Sequence, residues 1–402
     1  MSIRNCYNKS MSFNGLTQSE HDISMGRHFR STELQFWNDK EAYIHYLSDR
    51  SLRLDFPPDK YRTFYVYEPK LRKIVCSDYI TKILQRAAYN ALSPEFNKRF
   101  ITDTYACIAD RGTLNAALRL KEWLNYCEAS GKKYYYLKLD IAKFFYRIVH
   151  KKLMQIYEKK VSDDKMLCFL HHYICEASMP FGLPLGVTNP MAIDVKDMLW
   201  DRGITIGGGL SHLNGNIYLD VVDQYAKRVL KLKHYVRLMD DIVIVHEDKS
   251  FLHTVYNELN SIVTEDLGLC FNAKTCIRPI SQGVEFVGYR IWPYRMTIRK
   301  QTSLRMKRHL KAVCDAYNRR ELSLEKALQT RQSYKALTDK CDCRELDRKL
   351  TNMFVLTHSS KEEIDAERKS LGIIGNLRPD YREAEFDYNR LIQYCEETGT
   401  YN

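Results

Sequence analysis

Apolar residues fall along this chain in two periods. A strand-like period marks residues 61–75, where Phe64-Tyr65-Val66-Tyr67 and Leu71-Arg72-Lys73-Ile74-Val75 flank Glu68-Pro69-Lys70, which predicts two strands across a turn. Residues 134–139 form a further strand that runs into Asp140. Residues 233–246 place two β-branched-rich runs around Asp240-Asp241, which predicts strand, tight turn, strand, with both carboxylates at the tip. Residues 284–293 read as another hairpin. A helical period marks residues 78–91, with Ile80, Ile83, Leu84, Ala87 and Ala88 on one face, then 216–223 and 250–267. It also marks the basic stretch 299–319, with Leu304, Met306, Leu310 and Val313 as its apolar positions. Residues 31–51 suggest one or two helices, 10–19 a loop, and 357–402, interrupted by Gly372 and Gly375, no assignable structure. The mixture predicts an α+β fold.

Composition narrows the class. At 402 residues, 45% hydrophobic and 28% charged, the chain has enough apolar surface for two or three subdomains. The net charge of +12 favours a polyanionic partner, and 28 Tyr with 16 Phe suit stacking on bases. The 12 cysteines have no regular spacing, and Cys341-Asp342-Cys343 is too short for a zinc pair, so reduced thiols are expected. Residues 1–22 lack a continuous apolar core, so no signal peptide is expected, and residues 167–193 carry prolines, histidines and Glu176, unlike a membrane span. A cytoplasmic location without a membrane partner is the expectation.

Chemistry concentrates on the aspartates. Two like charges about 4 Å apart repel by roughly 4 kcal/mol at an effective dielectric near 20. A divalent cation between them offsets that cost, and Mg²⁺ prefers one or two carboxylates plus substrate phosphates to an all-protein cage. Asp240-Asp241 alone reads as a solvated acidic turn. Asp140, ending another strand a hundred residues earlier, supplies the third carboxylate that turns the pair into a candidate site.

The stretch Leu-Lys-Leu-Asp-Ile-Ala-Lys-Phe-Phe at 137–145, followed by Arg-Leu-Met-Asp-Asp at 237–241, resembles the first and third palm motifs of reverse transcriptases. Within that family it is most similar to the group II intron and retroelement-like bacterial class, especially the defence-associated (unknown-group) and diversity-generating retroelement enzymes. The resemblance implies a right-hand polymerase. Its parts would be an N-terminal extension (1–55), fingers (56–130), a palm (131–298) with an insertion around 176–202, a thumb (299–356) and a tail (357–402). It implies two Mg²⁺ ions, with Mn²⁺ as a substitute, held by Asp140, Ile141, Asp240 and Asp241. Lys274, in an Asn-x-Lys-Thr motif, would protonate the leaving pyrophosphate. Arg72, Lys73 and Arg111 would meet the triphosphate, and Phe145 would exclude a 2′-hydroxyl, although Phe144 and Phe145 fit a plain core equally well. Ile206 and Gly207 would belong to the Gly-rich template grip at 203–212, chosen over the similar 182–190. Phe286, Gly288 and Tyr289 would form a primer grip.

Three positions depart from the family's usual residues: Ile108 for a basic residue, Ile206 for Gln, and Leu238 for an aromatic. An RNA template, a DNA product and dNTPs are the implied partners, with a homo-oligomer or partner protein also compatible. The favoured setting is bacterial antiphage defence on a dedicated non-coding RNA. Diversity-generating retroelement synthesis, template-independent or protein-primed DNA synthesis, and a non-enzymatic RNA scaffold stand as alternatives.

Overall fold

The chain is described from a computed structural model covering residues 2–25, 34–57, 59–67, 72–184, 186, 187, 189, 190 and 193–357. The unassigned tail at 357–402 therefore lies outside the described residues apart from Thr357, as do the 68–71 turn and the Arg72 side chain. Contacts divide the chain into two units, Met1–Gln282 and Gly283–Asn402.

The first unit is organised on a four-stranded antiparallel sheet. Its strands are β3 (Tyr135–Asp140), β4 (His234–Leu238), β5 (Asp241–His246) and β6 (Cys276–Pro279), ordered β4-β5-β3-β6. β3 and β5 are interior because their apolar residues serve both faces: Tyr136, Leu137, Leu139, Ile242, Val243, Ile244 and Val245 are all buried. A separate two-stranded hairpin, β1 (Tyr61–Val66) and β2 (Arg72–Ser77), pairs in the expected order. Helix α5 (Tyr79–Asn97) follows it at once, its N-terminus capped by the Asp78 carboxylate on the Thr81 amide. Six further helices of this unit are α6 (Thr113–Ala129), α7 (Phe144–Arg147), α8 (His150–Glu158), α9 (Asp164–Cys175), α10 (Ser211–Gln224) and α11 (Lys249–Ser261).

Four short N-terminal helices complete it: α1 (Tyr7–Ser10), α2 (Phe13–Ser24), α3 (Leu34–Asn38) and α4 (Lys40–Leu52). The loop expected at 10–19 is thus mostly α2, capped by Ser12 Oγ accepting from the Gly15 amide at 3.3 Å. Hydrophobic period could not reveal it, because two of its three buried residues are Ser19 and Glu20. Glu20 is held by the Tyr79 hydroxyl at 2.8 Å and by Lys40.

The hairpin carrying the aspartates also differs in detail. Leu238 pairs with Asp241, so the two-residue turn is Met239-Asp240, and Asp241 opens β5. Met239 takes the left-handed backbone, φ +55°. One carboxylate stands on the turn and the other on the strand, rather than both at the tip.

The second unit contains a three-stranded antiparallel sheet, β7 (Val284–Phe286), β8 (Tyr289–Trp292) and β9 (Arg295–Ile298). Among the described residues three helices follow: α12 (Lys300–Asn318), α13 (Leu324–Thr338) and α14 (Arg344–Met353). α12 buries Met306, Leu310 and Val313 as its apolar positions require, while Leu304 remains 43% exposed.

Candidate active site

Strand pairing brings the three aspartates to one corner of the sheet. Asp140, the last residue of β3, lies directly opposite Asp241, the first of β5. The Ile141 amide donates to the Asp240 carbonyl at 3.4 Å, which ties the turn to the end of β3. Residues a hundred positions apart therefore share a site, as the motifs required. Ile141 itself is buried and its side chain has no donor atom, so only its carbonyl suits a cation.

The electrostatics of this corner are unfavourable without a partner. Asp241 Oδ1 is buried and accepts no hydrogen bond. Lys138 Nζ lies 3.4 Å from it and 3.5 Å from Oδ2. Burial pushes the Asp241 carboxyl up to about 6; Lys138 opposes the rise, while Asp140 and Asp240 add to it. Lys138 was not singled out from the sequence, yet its position gives it away. It stands two residues before Asp140 on the same strand, hence on the same face.

Among the described residues, no three His, Cys, Asp or Glu side chains come together as a ready-made metal cage. The corner still fits a divalent cation of the Mg²⁺ kind, which takes hard oxygen donors and completes its shell from substrate phosphates. The orphaned Asp241 oxygen, facing Asp140 in register, is the feature that such an ion would satisfy.

Asn272 is a second residue that sequence reasoning passed over. Its Nδ2 donates to Asp140 Oδ2 at 3.1 Å and its Oδ1 accepts from the Lys274 amide at 3.2 Å. Its own amide bonds the Asp140 carbonyl. Asn272 thus joins the strand-end carboxylate to the loop bearing Lys274, whose side chain is exposed. The signal was present in the quoted Asn-x-Lys-Thr, where attention went to the lysine.

The remaining residues separate into several groups. Phe144 is core, whereas Phe145 is half-buried, with ring centroids 5.2 Å apart; the structure separates what periodicity could not. Phe145 meets His212 edge-on at 6.1 Å. Lys73 is half-buried on β2, and its carbonyl accepts from the Tyr146 hydroxyl at 3.5 Å. Arg111 directs Nη1 at the Ile101 and Thr104 carbonyls, 2.9 and 2.8 Å away, so it braces its own loop in addition to any role with phosphate.

A Cβ on Gly207 would lie 2.7 Å from Cys76 Cβ, and the Gly209 amide bonds Gln85 Oε1 at 2.7 Å. The glycines let this loop dock on β2 and α5. Ile206, beside it, is half-buried. In the 176–202 segment, Gly182 pairs with Leu199 to close the base of a loop. In the second unit, Gly288 takes φ +91° in the β7–β8 turn, as a tight hairpin needs. The flanking Phe286 and Tyr289 rings are buried.

With this geometry in view, family comparison names the class. The model for reverse transcriptase (RNA-dependent DNA polymerase) matches residues 67–291, more than half of the chain. The chain belongs to the reverse transcriptase family, whose domain is that of a nucleotidyltransferase.

Among curated proteins it is 22% identical over 286 residues to a putative COX1/OXI3 intron 2 protein of Saccharomyces cerevisiae, covering 58% of this chain and 33% of that one. It is 25% identical over 281 residues to Protein YkfC of Escherichia coli, covering 61% of this chain and 70% of that one. The chain thus spans a third of the length of the yeast relative. Among solved structures, apo telomerase from Candida tropicalis matches at TM-score 0.45 and 13% identity, over 77% of this chain and 58% of that one. Telomerase from Candida albicans with a fragment of telomeric RNA matches at 0.40 and 15%, over 79% and 58%. Likeness this weak adds nothing to the family assignment. Among the described residues no helix is long and apolar enough to cross a membrane.

Proposed function

We propose that the chain is an RNA-directed DNA polymerase working as a right hand, with Asp140, Asp240 and Asp241 as its catalytic carboxylates. The supporting observation is the register that sets Asp140 against Asp241 while Asp241 Oδ1 is buried without a hydrogen bond. A corner built to fold and nothing more has no reason to keep three acids together.

Asp140, Asp240, Asp241 and the Ile141 carbonyl would hold two Mg²⁺ ions, or Mn²⁺ in their place. When bound, such ions make a primer hydroxyl a better nucleophile and neutralise charge on the triphosphate and pyrophosphate. The protein's own groups do the rest. Lys138 offsets part of the carboxylate charge before substrate arrives. Asn272 holds the Asp140 carboxylate in one orientation. Lys274, exposed nearby in sequence, meets the departing pyrophosphate as cation or acid. Lys73 and Arg72 stand on the hairpin that would cover the triphosphate. Phe145, half-buried beside the core ring of Phe144, would be the aromatic that leaves no room for a 2′-oxygen. The basic α12 would lie along duplex phosphates and make binding salt-dependent.

The favoured biological setting is bacterial antiphage defence with a dedicated non-coding RNA as template, in the cytoplasm. Diversity-generating retroelement synthesis is the second reading, favoured by the aliphatic Ile206. The test is incorporation of dNTPs on an RNA template by the wild type and by Asp240→Asn, with sequencing of co-purified nucleic acid to identify the template. Loss of incorporation in the variant supports the reading. A variant as active as the wild type overturns the carboxylate assignment.

A further inference from the structure

Arg237 is wholly buried in β4, two residues before the turn that carries Asp240. Its charge is met by Asp223 of α10 in a fork: Nε to Oδ1 at 2.7 Å and Nη2 to Oδ2 at 2.6 Å. Asp223 is itself saturated, accepting in addition from the Tyr235 hydroxyl and from Thr104 Oγ1, each at 2.6 Å. One guanidinium nitrogen, Nη1, lies outside this fork. It donates to Asn216 Oδ1 at 3.2 Å and to the Met239 carbonyl at 3.1 Å. Asn216 is fixed in turn by donating to the Ala106 carbonyl at 2.7 Å.

A buried ion pair is weak evidence for stability, since well-packed apolar residues of the same volume often serve as well. What an apolar pair cannot supply is a directed donor. The Met239 carbonyl belongs to the peptide plane that joins Met239 to Asp240. Fixing that oxygen fixes the plane, and so the direction in which the Asp240 side chain leaves the backbone. The turn needs such a restraint because Met239 holds φ +55°, a conformation that surrounding structure must enforce.

The side chain of Met239 is confined independently. A Cβ on Gly215 of α10 would come within 3.0 Å of Met239 Sδ, so the thioether rests against that helix where only a glycine leaves room. The turn is therefore held from its carbonyl by Arg237 and from its side chain by the surface of α10.

We propose that Arg237 is a positioning residue for Asp240, and that Asp223 and Asn216 serve to keep its guanidinium in one orientation. This rests on the reading of Asp240 as a catalytic carboxylate.

The experiment uses the full chain and three variants. Arg237→Lys keeps the charge and loses the fork and the Met239 bond. Arg237→Met combined with Asp223→Asn removes both charges and that bond. Tyr235→Phe removes one bond to Asp223 and leaves Nη1 in place. Thermal unfolding, kcat and KM for dTTP on an RNA template, and Mg²⁺ half-saturation are measured, together with Mn²⁺ affinity by electron paramagnetic resonance.

For Arg237→Lys the expectation is a kcat lower by about tenfold or more, a KM within about twofold, and Mg²⁺ half-saturation and Mn²⁺ dissociation constant raised several-fold. Tyr235→Phe should unfold earlier with kcat unchanged. A folded Arg237→Lys with kcat, Mg²⁺ half-saturation and Mn²⁺ affinity all within about twofold of wild type overturns the proposal. Should that variant not fold, the charge-neutral pair carries the same thresholds. A wild type that incorporates nothing sinks the polymerase reading instead; Mn²⁺ affinity then still decides on Arg237, weakened binding supporting the positioning role and unchanged binding refuting it.

Discussion

Replacing Asp241 by asparagine should make the metal-free protein more stable and the enzyme inactive. Asp241 Oδ1 is buried with no hydrogen bond, and the carboxylate faces Asp140 across the β3–β5 pair with Asp240 adjacent in sequence. An unsatisfied buried acceptor costs about 1–3 kcal/mol, more when charged. Lys138, 3.4 Å away and about a fifth exposed, recovers part of this. Asp241→Asn keeps the shape, removes the charge and releases Lys138 to solvent, for a net gain of about 1–2 kcal/mol. That corresponds to a rise in Tm of a few degrees.

Thermal unfolding in EDTA measures this directly. Added Mg²⁺ should then stabilise the wild type by about 1.4 kcal/mol at ten times its dissociation constant, and the variant by much less. Nucleotide incorporation should fall by about a hundredfold or more, as when a charge-stabilising group is lost. A variant that unfolds earlier than wild type in EDTA, or that gains as much from Mg²⁺, would refute the claim that this corner stores repulsion for a cation.

Four further outcomes are expected. Gly215→Ala places a Cβ 3.0 Å from both Met239 Sδ and Phe144 Cε1. The helix gains about 1 kcal/mol of propensity and loses a similar amount to crowding, so Tm should hardly move while kcat falls; an unchanged kcat would show that the turn tolerates displacement. Asp220 is pushed up to about 6, chiefly by burial, so its ionised form opposes folding. Stability should be lost as pH rises from about 4 to 6, and Asp220→Asn should gain roughly 1–3 kcal/mol at pH 7.5 and nothing at pH 4, read from urea unfolding at both values. Asn272→Ala frees Asp140 Oδ2 and should lower kcat by about ten- to a hundredfold with little change in Tm; equal activity would make Asn272 a loop residue only. Phe145→Ala should raise the use of NTPs relative to dNTPs, and an unaltered ratio of kcat/KM values would end the steric assignment.

The parts of this molecule legible from sequence were those governed by local pattern. The β1–β2 hairpin, α5 with its Asp78 cap, β3 running into Asp140, and the β7–β8 hairpin all announce themselves by period and turn residues. What stayed hidden depends on partners distant in sequence. Helix α2 buries polar side chains because Tyr79 and Lys40 satisfy Glu20. The Met239-Asp240 turn sits one residue earlier than composition suggests, because pairing Leu238 with Asp241 puts Asp241 in the sheet opposite Asp140. Phe286 and Tyr289 look available in a short hairpin and are buried. Gly207 marks a close approach as a glycine should, and its partner, Cys76, is distant in sequence. In the site, the three acids were visible as residues, Lys138 and Asn272 left a signal in strand period and in Asn-x-Lys-Thr, and Arg237 became visible only through the atoms it touches.

The place of β3 between β5 and β6 has a consequence for how the chain emerges from the ribosome. About a hundred residues separate Asp140 from Asp240, roughly 5–20 s of translation at typical rates. During that interval the nascent Tyr135–Asp140 segment has neither of its lateral neighbours. The three acids meet only when the later strands dock, so the electrostatic cost falls at the end of assembly rather than on the growing polypeptide.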